Sequence, residues 1–214
     1  MEYLVIDVGG TAIKYACMNE NAEFLERGEI PTPMDSLDSY LAALGTIIHR
    51  YDHNVEGIAM CVPGIIDSVQ GVCITGGNLR YVKDLPLATL LEERYGLRVS
   101  LENDARCAAL AELWRGSLKN CADGVVIVLG SAVGGALVKN GSIHKGSHFS
   151  AGEISFIEKD GDISDICNSV GYQNGVLSLY RLVEQQTGIP VAELDGIRTV
   201  SYTHLRAHET SAHL

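Results

Sequence analysis

Paired cysteines, clustered positive charge and long apolar runs are all missing from this chain, and each absence removes a class of function. The six cysteines (Cys17, Cys61, Cys73, Cys107, Cys121 and Cys167) stand singly, mostly inside apolar segments, with no C-x-x-C pair. That pattern argues against a disulfide framework and a thiolate metal cluster, and fits reduced thiols in a core. The formal charge is −11, which argues against the Lys- and Arg-rich footprint that nucleic-acid phosphates demand. No apolar run approaches membrane-spanning length. Met1-Glu2 leads straight into an apolar stretch, without the basic opening of a signal peptide. The expected partners therefore include no nucleic acid and no membrane, and the expected location is the cytoplasm.

What is present is an ordinary globular composition of 46% hydrophobic and 20% charged residues in a chain of 214, enough for one large or two small domains. Residues 3–8, 12–18 and 22–30 read as three strands in an antiparallel meander, turning at Gly9-Gly10 and at Asn19-Glu20-Asn21. Leu37, Leu41, Leu44, Ile47 and Ile48 recur at helical spacing behind a cap at Asp35 or Ser36. A strand over Val55–Val62 ends at Pro63-Gly64, and a hairpin follows around Gln70-Gly71. Pro86 to Tyr95 is a short helix stopped by Gly96, Val99 to Leu101 a strand, and Asp104 to Trp114 a helix rich in Ala and Leu. After the polar stretch 115–123 the opening pattern recurs: strand 124–129, glycine turn, strand 132–138 and an Asn140-Gly141 turn. Residues 149–170 are irregular and 171–186 return to helical spacing. The recurrence predicts two α/β domains, 1–117 and 118–199, each presenting a phosphate-binding hairpin to a shared cleft. Residues 200–214 look like a non-native tail; His204, His208 and His213 there are not taken as metal ligands.

Chemistry concentrates in four places. In Asp7-Val8-Gly9-Gly10-Thr11, glycines permit φ > 0 and let the backbone approach a phosphate with no Cβ in the way. The Thr11 hydroxyl and turn N–H groups can donate to phosphate oxygens, Lys14 adds positive charge, and Asp7 can hold Mg²⁺ through water. The second turn, with Gly130, Ser131 and Gly134, offers the same inventory. Either turn alone is a plain hairpin bend; two, each fed by an apolar strand, suit phosphoryl transfer. Asp104 follows Glu102-Asn103 where a strand becomes a helix. It reads either as a helix cap worth about 1 kcal/mol or as a general base worth roughly 10²–10⁴ in rate. Glu153, in a loop marked by Gly152, is an acceptor suited to the paired hydroxyls of a polyol.

The order of these motifs resembles the ROK family of sugar kinases and sugar-responsive repressors. The likeness covers about residues 1–190: Asp7 to Lys14, Val62-Pro63-Gly64-Ile65-Ile66-Asp67 with Gly71, Gly77-Asn78-Leu79, Glu102-Asn103-Asp104-Ala105, Leu129 to Gly135, and Gly146 to Glu153. The resemblance implies an α/β, actin-like ATPase (ribonuclease H-like) fold of two domains, the second incomplete. It implies transfer of the γ-phosphoryl of ATP to a sugar hydroxyl, the 6-OH, with Mg²⁺ as cofactor and domain closure excluding water. Asp104 would be the catalytic base; Asn78, Asn103 and Glu153 would bind sugar; Asp7, Gly9, Gly10, Thr11, Lys14, Gly130, Ser131 and Gly134 would serve phosphates and Mg²⁺. A homodimer or homotetramer is also implied.

Two departures from the family pattern matter. Where the family has Gly-Glu-x-Gly-His and then C-x-C-G-x-x-G-C, this chain has Gly152-Glu153-Ile154-Ser155-Phe156 and only Cys167 nearby, so no structural zinc is expected. The change resembles the β-glucoside kinase branch. The family's later adenosine-binding segment has no counterpart before the tail, so this stretch of chain is expected to bind ATP poorly and to be inactive by itself. The competing expectation is a sugar-sensing regulator or a silent sugar-binding protein. A helix-turn-helix domain ahead of Asp7, which the repressors carry, is not seen, and Asp104 is retained.

Overall fold

The computed structural model describes residues 1–130, 132–158 and 168–190. These fall into two compact units, Met1–Val126 with Ala136–Gly152, and Ile127–Gly135 with the residues from Glu153 on.

The first unit is built on a five-stranded sheet. Strands β1 (Glu2–Val8), β2 (Ala12–Asn19) and β3 (Phe24–Pro31) form the expected antiparallel meander. β4 (Gly57–Val62) then lies parallel to β1, and β8 (Arg98–Asn103) parallel to β4, giving the order β3-β2-β1-β4-β8. Such pairing needs crossover connections, supplied by α1 (Leu37–Ile48) and α2 (Leu87–Tyr95). Ser36 caps α1, accepting the Ser39 N–H, and Gly96 ends α2 in the left-handed conformation at φ 69°.

Alternation in β1 sends Leu4, Ile6 and Val8 into the core. There they meet Tyr40, Leu44, Ile47 and Ile48 of α1 and Leu87, Ala88 and Leu91 of α2. On the other face α3 (Asp104–Arg115) packs against β4 and β8 and leaves an apolar hollow of about 1220 Å³, lined by Val5, Ala59, Cys61, Leu110 and Trp114 among others.

A small sheet of β5 (Ile66–Asp67), β6 (Val72–Thr75) and β7 (Lys83–Leu85) carries the expected hairpin and a third strand that sequence patterning did not reveal. β9 (Gly124–Leu129), β10 (Val133–Lys139) and β11 (Ser142–His144) form another sheet. Ala136 and Val138 of β10 pack on Ala109 of α3. Asn140 and Gly141 both have positive φ, 52° and 72°, the conformation of a tight hairpin turn.

In the second unit a short 3₁₀ turn, Ile154–Phe156, precedes the bridge between Glu158 and Ser169. The helix expected over 171–186 is two helices, α4 (Val170–Asn174) and α5 (Val176–Thr187), interrupted by extended Gly175. Cys167, Ser131 and the tail lie outside the described residues.

Candidate active site

Because β1, β4 and β8 run parallel, their C-terminal ends share one edge of the sheet, where ligands of open α/β sheets bind. The register fixes what is there: Asp7 lies opposite Cys61, Cys61 opposite Glu102, and Val62 opposite Asn103. The Gly9–Thr11 turn, the Pro63-Gly64 turn and the start of α3 thus meet at one place.

At the β8–α3 junction the N-cap is Asn103 and not Asp104. Its backbone is extended (ψ 150°) and its side chain accepts the Arg106 N–H at 3.2 Å. Its Nδ2 donates to the Gly64 carbonyl at 3.0 Å and to Asp104 Oδ1 at 2.8 Å. Asp104 Oδ1 also accepts the Ala105 N–H at 2.8 Å. One carboxylate oxygen is therefore held by two donors, and no described residue donates to Oδ2.

Asp104 is exposed but recessed among protein atoms, and this partial burial raises its carboxyl pKa. The negative charge of Asp7 raises it further, and the Ala105 and Asn103 hydrogen bonds do not cancel the rise. Asn103 itself is only 4% exposed, and both its amide protons are committed, so what remains to it is one lone pair of its carbonyl. Gly64 is required by the same arrangement: φ is 96°, and a Cβ would lie 2.3 Å from the Thr75 carbonyl oxygen.

Asp7 is exposed at the end of β1, directly across from Lys14 in β2. The turn between them is closed by the Gly9 N–H donating to the Ala12 carbonyl at 3.0 Å. The positive φ expected of Gly9 and Gly10 is not adopted. Gly9 is needed instead for close approach, since a Cβ would sit 2.9 Å from the Ala12 carbonyl oxygen, whereas at Gly10 the nearest neighbour is Asn78 Nδ2 at 3.6 Å. Gly10 thus leaves its backbone open beside Thr11 and brings Asn78 to the same spot.

Thr32, which sequence reading misses, braces this turn. It is buried, its Oγ1 donates to the Gly9 carbonyl at 2.7 Å, and its N–H donates to the Thr11 carbonyl at 3.0 Å. Its only sequence signal is its place after β3 and before Pro33. Arg106 and Lys145 escape sequence reading in the same way, as does their pairing with Glu102 of the Glu102-Asn103-Asp104 motif: Glu102 and Arg106 are buried and paired at 3.3 Å, and Lys145 meets Glu102 at 3.0 Å.

In the second unit the Gly130 N–H donates to the Ala132 carbonyl at 2.9 Å, and its carbonyl accepts the Val176 N–H at 2.9 Å, tying the second glycine turn to α5. Gly134 is half-buried in β10. Glu153 is half-buried and accepts a hydrogen bond from the Ser155 hydroxyl, and Phe156 is exposed. Among the described residues no group of three or more His, Cys, Asp or Glu side chains is arranged to hold a metal. No helix there is long and apolar enough to cross a membrane.

Comparison with known proteins agrees with this geometry. The ROK family model matches residues 3–173. The chain is 36% identical over 155 residues to the N-acetyl-D-glucosamine kinase of Vibrio cholerae, covering 71% of this chain and 51% of that one. It is 30% identical over 198 residues to the beta-glucoside kinase of Listeria innocua, covering 92% and 67%. The solved structure of the Lmo2764 protein of Listeria monocytogenes superposes with a TM-score of 0.81 at 29% identity, over 94% of this chain and 69% of that one. The chain thus spans about half the length of the first relative and two thirds of the second. The α/β, actin-like ATPase fold expected from the sequence is borne out. A match over residues 3–173, with the Asp7 turn, the Pro63-Gly64 turn and Asn103-Asp104 gathered on one sheet edge, places this chain in the ROK family.

Proposed function

We propose that this chain carries the catalytic base and part of the substrate-binding surface of an ATP-dependent hexose or hexoside kinase. The observation that supports this best is Asp104: relieved of capping by Asn103, beside Asp7, with one oxygen free and its pKa raised. A carboxylate whose pKa is raised is a stronger base toward a hydroxyl proton. The names of the relatives, an N-acetylglucosamine kinase and a beta-glucoside kinase, supply the reaction class.

In this reading the sugar's primary hydroxyl, the 6-OH, gives its proton to Asp104 Oδ2 as its oxygen bonds to the γ-phosphorus of ATP. The bond from that phosphorus to the bridging oxygen breaks and ADP departs. Asn103 orients Asp104 and offers its remaining lone pair to a sugar hydroxyl; Asn78 and Glu153 bind others. Gly9, whose N–H closes the turn onto Ala12, lets phosphate approach the backbone, and the Gly10 N–H, Thr11 and Lys14 receive phosphate oxygens; Ser131 and Gly134 do the same from the second turn, which Gly130 closes onto Ala132. Asp7 and Asp104 are like charges that a cation would relieve, which fits Mg²⁺ held by Asp7 through water. Bound there, Mg²⁺ would neutralise phosphate charge as it develops. Catalysis is then mainly positioning and charge compensation.

The test is an assay of the intact protein with ATP, Mg²⁺ and a panel of glucose, N-acetylglucosamine and aryl β-glucosides. Turnover of one of these, lost in Asp104→Asn while sugar binding persists, is the expected result. Sugar binding with no turnover by either protein overturns the kinase reading in favour of a sugar sensor.

A further inference from the structure

Among the described residues, Glu102 and Arg106 are the only charged side chains that are buried. Burying charge is unfavourable unless every group is matched, and here the matching is complete and spans four pieces of chain. Glu102 Oε1 accepts the Asn103 N–H at 2.9 Å and Arg106 Nη1 at 3.3 Å. Its Oε2 accepts the Ser68 hydroxyl at 3.0 Å and faces Lys145 Nζ at 3.0 Å, and Lys145 also donates to Ser68 Oγ. Burial alone would push the Glu102 carboxyl up, but the Asn103 N–H, Lys145 and Ser68 together hold it below the usual range, so it stays ionised.

Arg106 has a second partner, the Phe149 carbonyl, which accepts from Nη2. Phe149 is held at φ 56°, a conformation that few non-glycine residues adopt. The segment around it is folded on itself: the Ala151 N–H donates to the Lys145 carbonyl at 3.1 Å, and Gly146 and Gly152 turn with φ of 68° and 84°. Lys145 pins the start of this segment and Arg106 its middle, both through Glu102, which immediately precedes Asn103 and Asp104. A cluster serving the core alone would not need to reach a strained loop carbonyl through one cation and the β5–β6 turn through another.

We propose that the Glu102–Arg106–Lys145 ion cluster is a positioning device that locks the Lys145–Gly152 segment against the start of α3, fixing a sugar-facing loop relative to the Asp104 carboxylate. That the loop faces sugar rests on the proposed kinase function; the lock itself does not. These residues touch no reacting atom and act through the loop and through Asn103, so they should govern substrate affinity more than the chemical step.

The intact protein is compared with Lys145→Met, Lys145→Arg and Arg106→Lys. Lys145 is partly exposed, at 28% of its side chain, so its replacement tests the lock without leaving a buried charge alone. Without any sugar present, hydrogen exchange of amides 146–151 is expected to quicken about tenfold in Lys145→Met and Arg106→Lys while α1 amides keep their rate. Lys145→Arg restores the slow exchange. With the sugar that the panel identifies, Lys145→Met raises KM about tenfold and leaves kcat within about threefold. Unchanged exchange at 146–151 overturns the lock. Quickened exchange with unchanged KM overturns its link to sugar binding. A wild-type protein that phosphorylates no sugar sinks the kinase reading, while the exchange comparison still decides the lock.

Discussion

Replacing Asp104 by asparagine should move activity and stability in opposite directions. The carboxamide keeps an oxygen to accept from Ala105 and Asn103, so the local hydrogen bonds survive. What goes is the negative charge that partial burial and Asp7 disfavour, together with the proton acceptor. The folded pKa of Asp104 lies above its unfolded value, so the folded state holds the proton more tightly. Its contribution to stability is complete below the unfolded carboxylate value of about 4 and is lost as pH rises through the folded pKa. At pH 7 the ionised group therefore costs stability, and the Asp104→Asn variant is free of that cost. Since Asp104 is exposed, solvent screening limits the gain to the scale of an exposed charge pair, about 0.5 kcal/mol. For a chain of this size that is a rise in Tm of roughly 1–2 °C. Turnover should fall by about 10²–10⁴, read by coupled ADP release. In the wild type the acid limb of kcat/KM should lie above the range of a free aspartate. Melting at pH 7 and at pH 3.5 should show the stability difference only at the higher pH. An Asp104→Asn variant less stable at pH 7, or one keeping more than a tenth of its turnover, would refute the assignment of Asp104 as a strained base.

Other perturbations separate the parts of the site. Thr32→Val removes the hydroxyl that braces Gly9; it should cost about 1 kcal/mol in urea unfolding and raise KM for ATP several-fold while sugar affinity, followed by calorimetry, is unmoved. Gly64→Ala places a Cβ against the Thr75 carbonyl at positive φ and should lower stability by about 2 kcal/mol or more in the same unfolding experiment. Burial pushes the Cys73 thiol up to about 12, and the Cys107 thiol together with burial raises Cys61, whereas Cys121 is exposed. At pH 8 an alkylating reagent followed by peptide mass mapping should therefore find Cys121 modified first among the described cysteines, with Cys61 and Cys73 protected until the protein unfolds.

Much of the scaffold is legible in the chain because its signals are local. Alternation in 3–8 and 12–18, the Ser36 cap, Gly96 and Asn140-Gly141 each specify geometry within a few residues, and the structure follows them. Short β7 and β11, with three residues each and little burial, carry too few positions for alternation to register. Gly175 reads as a tolerable helix residue yet breaks the helix, because its extended backbone separates α4 from α5. The turn at Gly9-Gly10 lies where the glycines place it, but close approach and not positive φ explains Gly9.

The site divides along the same line. The residues proposed for the site from their own loops, such as Asp7, Asn103 and Asp104, are picked out by residue type and spacing. Residues that support them do so across long stretches of chain: Thr32 reaches Gly9 over 23 positions, Arg106 reaches Phe149 over 43, and Lys145 reaches Ser68 over 77. No window of sequence contains both ends of such a contact, and a threonine, an arginine or a lysine in isolation is most simply a solvated side chain. Burial distinguishes Thr32 and Arg106, and the ion pair with Glu102 distinguishes Lys145. The cap at Asn103 makes the same point in miniature. Two adjacent residues are equally able to close the helix, and Asn103, which also donates to Gly64, 39 positions away, is the one that does, leaving Asp104 without the capping role.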